Sequence, residues 1–388
     1  MSNPKSLQLT AILQILGFVA VLVLPLAATN FHAVHEWNAT ENRDLNDFPA
    51  WEWNRAALDA FPAKFEAAFN DHFGFRNVFT RWHSLIKVYG LGMSPVDKVF
   101  LGKKDWLFLS ESIKEYRGVK LIKESSVTQW GKELQTKQAW LAARGIRYLL
   151  VVPPNKEEVY PEYLPNSISI KHTHRYLDGI LKGLSADLRV NILDLREPLC
   201  QGRSLGMVYD RTDTHWSHLG MFLATNEILL RLHRWYPELQ PAPLDQRPQT
   251  PVWGPGGDLA RMIGLQSKMW EERLTVPPAP ASFQEGVMRS KQVWPENSLQ
   301  DPPLIYESRG SAQKLTMLIT GDSFGLGLLE FLPEHFRRVV RLRPDVPYTA
   351  WFQGLLPGLV EAEKPDVYLD VLCSRSMRYP PKALFPAR

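Results

Sequence analysis

From Leu7 to Ala28 the chain runs apolar, interrupted by Gln8, Thr10, Gln14, Gly17 and Pro25 and by no charge. About 20 apolar residues are what a bilayer-spanning helix requires, whereas a cleaved signal peptide carries a shorter apolar core of about 7–15. Residues 1–29 are therefore expected to form an uncleaved single-pass anchor. Pro25 followed by Leu26-Ala27-Ala28 leaves removal as the alternative. Lys5 before the stretch orients the N-terminus to the cytoplasm and the chain after about residue 30 to the far side. Over 30–98, Phe61, Phe65, Ala68 and Phe69 recur at helical spacing and predict a mostly helical extension. Asp71-His72-Phe73 and Arg76 fit an ion pair within one helical turn that fastens this segment.

From Val99 the period changes to alternating strands and helices. Trp106 to Leu109 reads as a short strand. Ser125 and Ser126 suit the start of a helix with Val127, Trp130, Leu134 and Leu141 on one face, ended by Gly145. Residues 146–152 form a buried strand stopped by Pro153-Pro154. A helix over about 172–184, a strand at 190–193 and a helix over 218–235 follow. Then come a strand at 315–319, a helix over 324–336 and strands at 339–342 and 367–372. Such alternation predicts an α/β domain over 99–388, with a mostly parallel sheet flanked by helices. Between about 237 and 303 it stops, and 12 of the 30 prolines gather there with Trp253, Trp270 and Trp294. This insertion either lines a substrate groove or is packed connection.

The composition narrows the classes. The chain has 388 residues, 45% hydrophobic and 11% aromatic, enough to bury a large core. Its net charge of +4 is spread along the length and makes no basic stripe, so nucleic acid is not an expected partner. Cys200 and Cys373 are too few for a disulfide scaffold and are not spaced as a metal site; one bridge and two thiols both remain open.

Two short stretches carry chemistry: Thr212-Asp213-Thr214-His215-Trp216 and Gly321-Asp322-Ser323-Phe324. A serine hydroxyl is a weak nucleophile until a base takes its proton, and an imidazole titrates near neutrality. Asp213, two residues before His215, is spaced to hold the other ring nitrogen and stabilise the imidazolium. Ser323 follows an apolar strand and opens a predicted helix, whose N–H groups can face a developing oxyanion. Without a partner, Ser323 would read as a helix cap, and Asp213 with His215 as a loop pair. Gly321 to Gly325 also fits Gly-x-Ser-x-Gly, but in α/β-hydrolases the acid and histidine follow the serine. Here the only histidine after Ser323 is His335, so acid and base must precede the nucleophile. His218 raises a metal alternative with Asp213. A zinc site needs three or four ligands, and only the distant His172 and His174 remain, so neither metal nor cofactor is expected.

These residues resemble the alginate O-acetyltransferases and related exopolysaccharide acetylation proteins with an SGNH-hydrolase-like domain. The likeness runs through Glu41-Asn42-Arg43-Asp44-Leu45, Asp71-His72-Phe73, Val99 to Phe108, Val152-Pro153-Pro154 and Val159 to Pro165. It continues through Thr212 to Trp216, Gly257-Asp258-Leu259, Gly321 to Phe324 and Lys364 to Val367. The resemblance implies an α/β SGNH-hydrolase-like domain preceded by one N-terminal transmembrane helix, in the short membrane-anchored branch. It implies that Ser323 carries an acetyl ester, His215 acts as base and then acid, and Asp213 orients it. Implied partners are a membrane-bound O-acyltransferase as acetyl donor, a periplasmic polysaccharide as acceptor (alginate or a cellulose-like polymer), and other exopolysaccharide biosynthesis subunits. The expected place is the bacterial inner membrane, with the catalytic domain in the periplasm. An acetylesterase with the same triad, and a glycan-binding or scaffold subunit using aromatics such as Trp51, Trp53 and Trp253, are the rival readings.

Overall fold

The computed structural model describes residues 4–29, 37–38, 43–119, 121–278, 304–308, 314–342 and 350–380. Glu41, Asn42 and Trp294, singled out in the sequence, lie outside these. The chain divides into two units, 1–99 with 260–268, and 100–259 with 269–388.

In the first unit the N-terminal stretch forms helix α1, Pro4–Ala27. Ile12, Leu16, Phe18 and Val23 stand exposed along it. No helix among the described residues is long and apolar enough to cross a membrane. Pro25 falls inside α1. Helix α2, Arg55–His72, starts where the Asn54 side chain accepts the Ala57 N–H. Asp71 and His72 at its end close on Asn46. The Asp71 Oδ2 accepts both the backbone and side-chain N–H of Asn46, and the His72 ring lies 3.0 Å from its carbonyl. Helix α3, Arg76–Leu85, follows.

The second unit is built on a six-stranded sheet: β1 Arg147–Val152, β2 Ile192–Asp194, β3 Leu304–Glu307, β4 Thr316–Gly321, β5 Arg338–Arg341 and β6 Val367–Val371. Their spatial order is β2-β1-β6-β4-β5-β3. All neighbours are parallel except β3, which runs antiparallel along β5. Alternation along each strand splits the core into two layers. Leu149, Val151, Met317, Ile319, Leu369 and Val371 face one side, where helix α6, His218–His233, packs with Phe222 and Leu229. Leu150, Val152, Leu318, Val340 and Tyr368 face the other. There they meet α4, Glu124–Ala142, α5, Tyr176–Gly183, and α7, Ala350–Glu363. Each fully buried aliphatic side chain contributes about 1.5–3 kcal/mol, so these layers dominate the unit's stability.

One buried carboxylate crosses the second layer. Asp370 of β6 accepts Lys137 Nζ of α4 at 2.5 Å and the Tyr148 hydroxyl of β1 at 2.8 Å, and it also accepts Thr320 Oγ1 of β4. A single side chain thereby ties three adjacent strands to a helix.

Two elements depart from the expected pattern. The helix expected over 324–336 is one turn, Phe324–Gly327, followed by two tight 3-10 turns. Gly325, Gly327 and Pro333 interrupt it. The Pro-rich insertion holds an antiparallel strand pair, Thr250–Gly254 with Glu271–Thr275. Both cysteines are free thiols, Cys200 exposed and Cys373 buried.

Candidate active site

Strand β4 is buried throughout and ends at Gly321. Gly321 has φ +122°, and a Cβ there would stand 1.9 Å from the Val371 carbonyl oxygen, so only glycine fits. The chain turns, and Asp322 fixes the turn. Its N–H donates to the Val371 carbonyl, its Oδ2 accepts the Cys373 N–H at 2.8 Å and the Ser376 hydroxyl at 3.0 Å, and its Oδ1 accepts the Phe324 N–H. Ser323, the next residue, is left exposed at the sheet's edge.

His215 arrives on the loop 210–215, closed by an antiparallel bridge between Tyr209 and Trp216. Trp216 is buried edge-on against Phe324, 5.1 Å between ring centres. The buried Lys156 ammonium holds the loop from inside by donating to the Asp210, Arg211 and Asp213 carbonyls at 3.1, 3.0 and 2.6 Å. Burial lowers its pKa to about 8, partly offset by Asp213, Asp258 and Glu271. Glu271, from the Pro-rich insertion, accepts the Arg211 and Thr212 N–H groups and the Thr212 hydroxyl.

The structure brings the three predicted side chains into one hydrogen-bonded chain. His215 Nε2 lies 2.8 Å from Ser323 Oγ, and its Nδ1 lies 2.8 Å from Asp213 Oδ1. The same Oδ1 accepts the His215 backbone N–H at 2.9 Å, while Oδ2 accepts the Asp258 N–H at 3.0 Å. Both carboxylate oxygens are thus committed, which fixes the acid and favours the tautomer with the proton on Nδ1.

Asp258 joins the site without having been expected there. Its carboxylate accepts the Thr214 N–H at 2.7 Å and the Thr214 hydroxyl, and it stands 3.7 Å from His215 Nδ1. Gly257 before it must be small, because a Cβ there would meet Asp213 at 2.5 Å. The insertion therefore packs against the loop and completes the site through Asp258 and Glu271. Asp213, His215 and Asp258 offer ligand atoms within 4.8 Å of one another, but Asp213 Oδ1 and His215 Nδ1 already share a hydrogen bond. His218 stands apart from this group, edge-on to Phe331.

Electrostatics suits a base. Burial pushes the Asp213 carboxyl up, but the hydrogen bond and charge of His215 and two backbone N–H groups outweigh it and hold the group well below the carboxylate range. Burial disfavours the His215 cation, but the hydrogen bond and charge of Asp213, then the charge of Asp258, leave its pKa raised. Only the neutral imidazole can accept the serine proton. Acylation is therefore expected to rise with pH along a limb centred above the ordinary histidine value of about 6.5. Asp258→Asn removes one charge favouring imidazolium and should move that limb to lower pH. A limb unmoved in rates measured against pH would show that Asp258 does not act on His215.

The expected helix N-terminus behind the oxyanion is largely absent. The turn is short, and the Phe324 and Gly325 N–H groups are spent on Asp322. Ser323's own N–H donates to no acceptor among the described residues and is the donor this turn offers.

The family described as "SGNH hydrolase-like domain, acetyltransferase AlgX" matches residues 99–340. A curated relative, "Probable alginate O-acetylase AlgJ" of Pseudomonas aeruginosa, is 30% identical over 158 residues, 40% of this chain and 38% of that protein. Its namesake in Pseudomonas syringae is 26% identical over 201 residues, 51% and 46% respectively. The chain thus spans less than half the length of either relative. Bacillus cereus PatB1, solved with a sulfonyl adduct, superposes with a TM-score of 0.53 at 14% identity, covering 76% of this chain and 99% of that one. That likeness is one of fold.

Proposed function

Because the chain belongs to the AlgX acetyltransferase family of SGNH hydrolase-like domains, we propose that it moves acetyl groups onto hydroxyls of an exopolysaccharide, alginate or a cellulose-like polymer, through Ser323. The observation that carries this reading is the unbroken hydrogen-bond chain from Ser323 Oγ through His215 to Asp213.

In the first half-reaction Ser323 Oγ attacks the carbonyl carbon of an acetyl ester donor while His215 Nε2 takes its proton. The Ser323 N–H faces the oxyanion. As the intermediate collapses, the bond to the donor oxygen breaks and His215 returns the proton to it, leaving acetyl-Ser323. In the second half a sugar hydroxyl gives its proton to His215 and attacks the acetyl carbon. Ser323 leaves with that proton, and the acetyl ester now sits on the glycan. Asp213 keeps its charge throughout and stabilises the imidazolium in both halves.

We take the donor to be a membrane-bound O-acyltransferase and place the protein at the periplasmic face of the inner membrane, beside other subunits of polysaccharide synthesis. The exposed apolar side chains of α1 support that placement. Cleavage of the catalytic unit by protease added to intact spheroplasts would report it, and full protection would place it inside instead.

Exposure of Ser323 favours a second reading, an acetylesterase in which water takes the acetyl group. Incubation with an activated acetyl ester should add one acetyl group, about 42 Da by mass, to a peptide containing Ser323. Discharge onto alginate or cello-oligosaccharides supports transfer. Release only as acetate with those acceptors present supports the esterase, and absence of any adduct in folded protein would leave a glycan-binding role.

A further inference from the structure

Helix α3 and the wide turn Ile86–Gly90 that extends it present an inverted surface. An amphipathic helix on a soluble domain turns its apolar stripe inward. Among residues 76–90 the one buried side chain is Ser84, near Gly264. Phe79, Trp82 and Ile86, spaced three and four apart and so on one face, are 48%, 61% and 58% exposed. Val78 flanks them, and Leu91 and Met93 continue the exposed apolar run beyond the turn.

Charge follows the same segment. From Gly74 to Val96 the chain carries Arg76, Arg81 and Lys87 and no aspartate or glutamate. Place adds a third observation. The Gly74 N–H donates to Thr29 Oγ1 at 3.2 Å, and the Pro25 carbonyl and Ala28 fill the space a Cβ on Gly74 would need. The end of α1 is therefore locked against the turn that starts α3, and two exposed apolar helices meet at that joint.

We propose that residues 75–93 form an interfacial element that lies on an anionic lipid bilayer. Phe79, Trp82 and Ile86 enter the boundary between headgroups and acyl chains, and Arg81 and Lys87 sit at the phosphates. Aromatic and aliphatic side chains on one face with cations beside them are the chemistry such a surface selects. A second copy fits less well, because a two-fold pairing of this face brings Arg81 and Lys87 against the same two cations of the other copy. A wholly apolar protein groove would leave the same cations without counter-charge. The inference is independent of the chemistry at Ser323.

The test uses the full chain reconstituted in phosphatidylcholine vesicles with or without phosphatidylglycerol, with part of the lipid brominated on its acyl chains. Bromine quenches tryptophan only on contact. The difference between wild type and Trp82→Phe isolates Trp82 among the 13 tryptophans. Contact should cost the Trp82-specific emission roughly half or more of its intensity in vesicles containing phosphatidylglycerol, and Arg81→Glu with Lys87→Glu should restore most of it. Equal quenching of wild type and Trp82→Phe would overturn the proposal. So would a disulfide-linked dimer trapped through Trp82→Cys in vesicles, which would assign the face to a second copy.

Discussion

Ser323→Ala should lower acetyl transfer by on the order of 10⁴-fold or more in kcat/KM while leaving the fold intact. The two halves of this expectation come from different observations. The Ser323 hydroxyl makes its described hydrogen bond to His215 alone and stands exposed at the end of β4, so its removal opens no cavity. The thermal midpoint should therefore stay within about 2 °C of wild type. The chemistry has no substitute, because the one other hydroxyl within hydrogen-bond reach of the His215 ring among the described residues, Thr214 Oγ1, lies on Nδ1, away from the nitrogen that meets Ser323. Residual turnover would come from binding and the Ser323 N–H. Retention of more than about a tenth of wild-type rate, with acetylated glycan as the readout, would remove Ser323 from the reaction path.

Gly321→Ala should have the largest effect on stability. A Cβ 1.9 Å from the Val371 oxygen cannot be accommodated by a rotamer change, since the obstacle is the backbone of the neighbouring strand. The φ of +122° adds strain of its own. Together these should cost about 4 kcal/mol or more, a drop in thermal midpoint of roughly 8 °C or more for a unit of this size. Gly131→Ala, inside α4 and at ordinary contact distance from Leu184, is the control and should be neutral or slightly stabilising. A midpoint for Gly321→Ala within 2 °C of wild type would mean that the turn before Ser323 relaxes easily, and the account of how the nucleophile is held would fail.

The residues that were legible in the sequence are those whose chemistry sits in their own side chains at short spacing. Asp213 and His215 are two residues apart on one loop, and Ser323 follows a run of buried strand residues. The hidden ones act through backbone. Lys156 holds three carbonyls more than 50 residues away, and Glu271 holds two amides about 60 residues away. No periodicity reports such a contact, because the partner is present in every residue type. Asp258 stood in a motif shared with the family, yet its partners, Thr214 and Asp213, are defined only once the insertion folds back. The fold was legible to the extent that apolar runs were uninterrupted. Strand β1 reads directly, whereas Gly354, Pro357 and Gly358 disguise α7, and β3 is too short beside Pro302-Pro303 to register. Over 324–336 the error ran the other way. An apolar stretch read as one helix, but Gly327 leaves room for the Trp216 ring and Met221, and the segment breaks into turns around them.

The position of β6 has a temporal meaning. It is the last strand among the described residues, yet it lies between β1 and β4, hydrogen-bonded to both. Asp370 gathers Lys137, Tyr148 and Thr320, and the Val371 carbonyl and Cys373 N–H set Asp322, the residue that aims the serine. A growing chain can form its loop 210–215 early, but nothing seats Ser323 until residue 373 has been made. Sequence order thus works as a clock, and the hydrogen-bonded chain from Ser323 to Asp213 waits for β6 to be made.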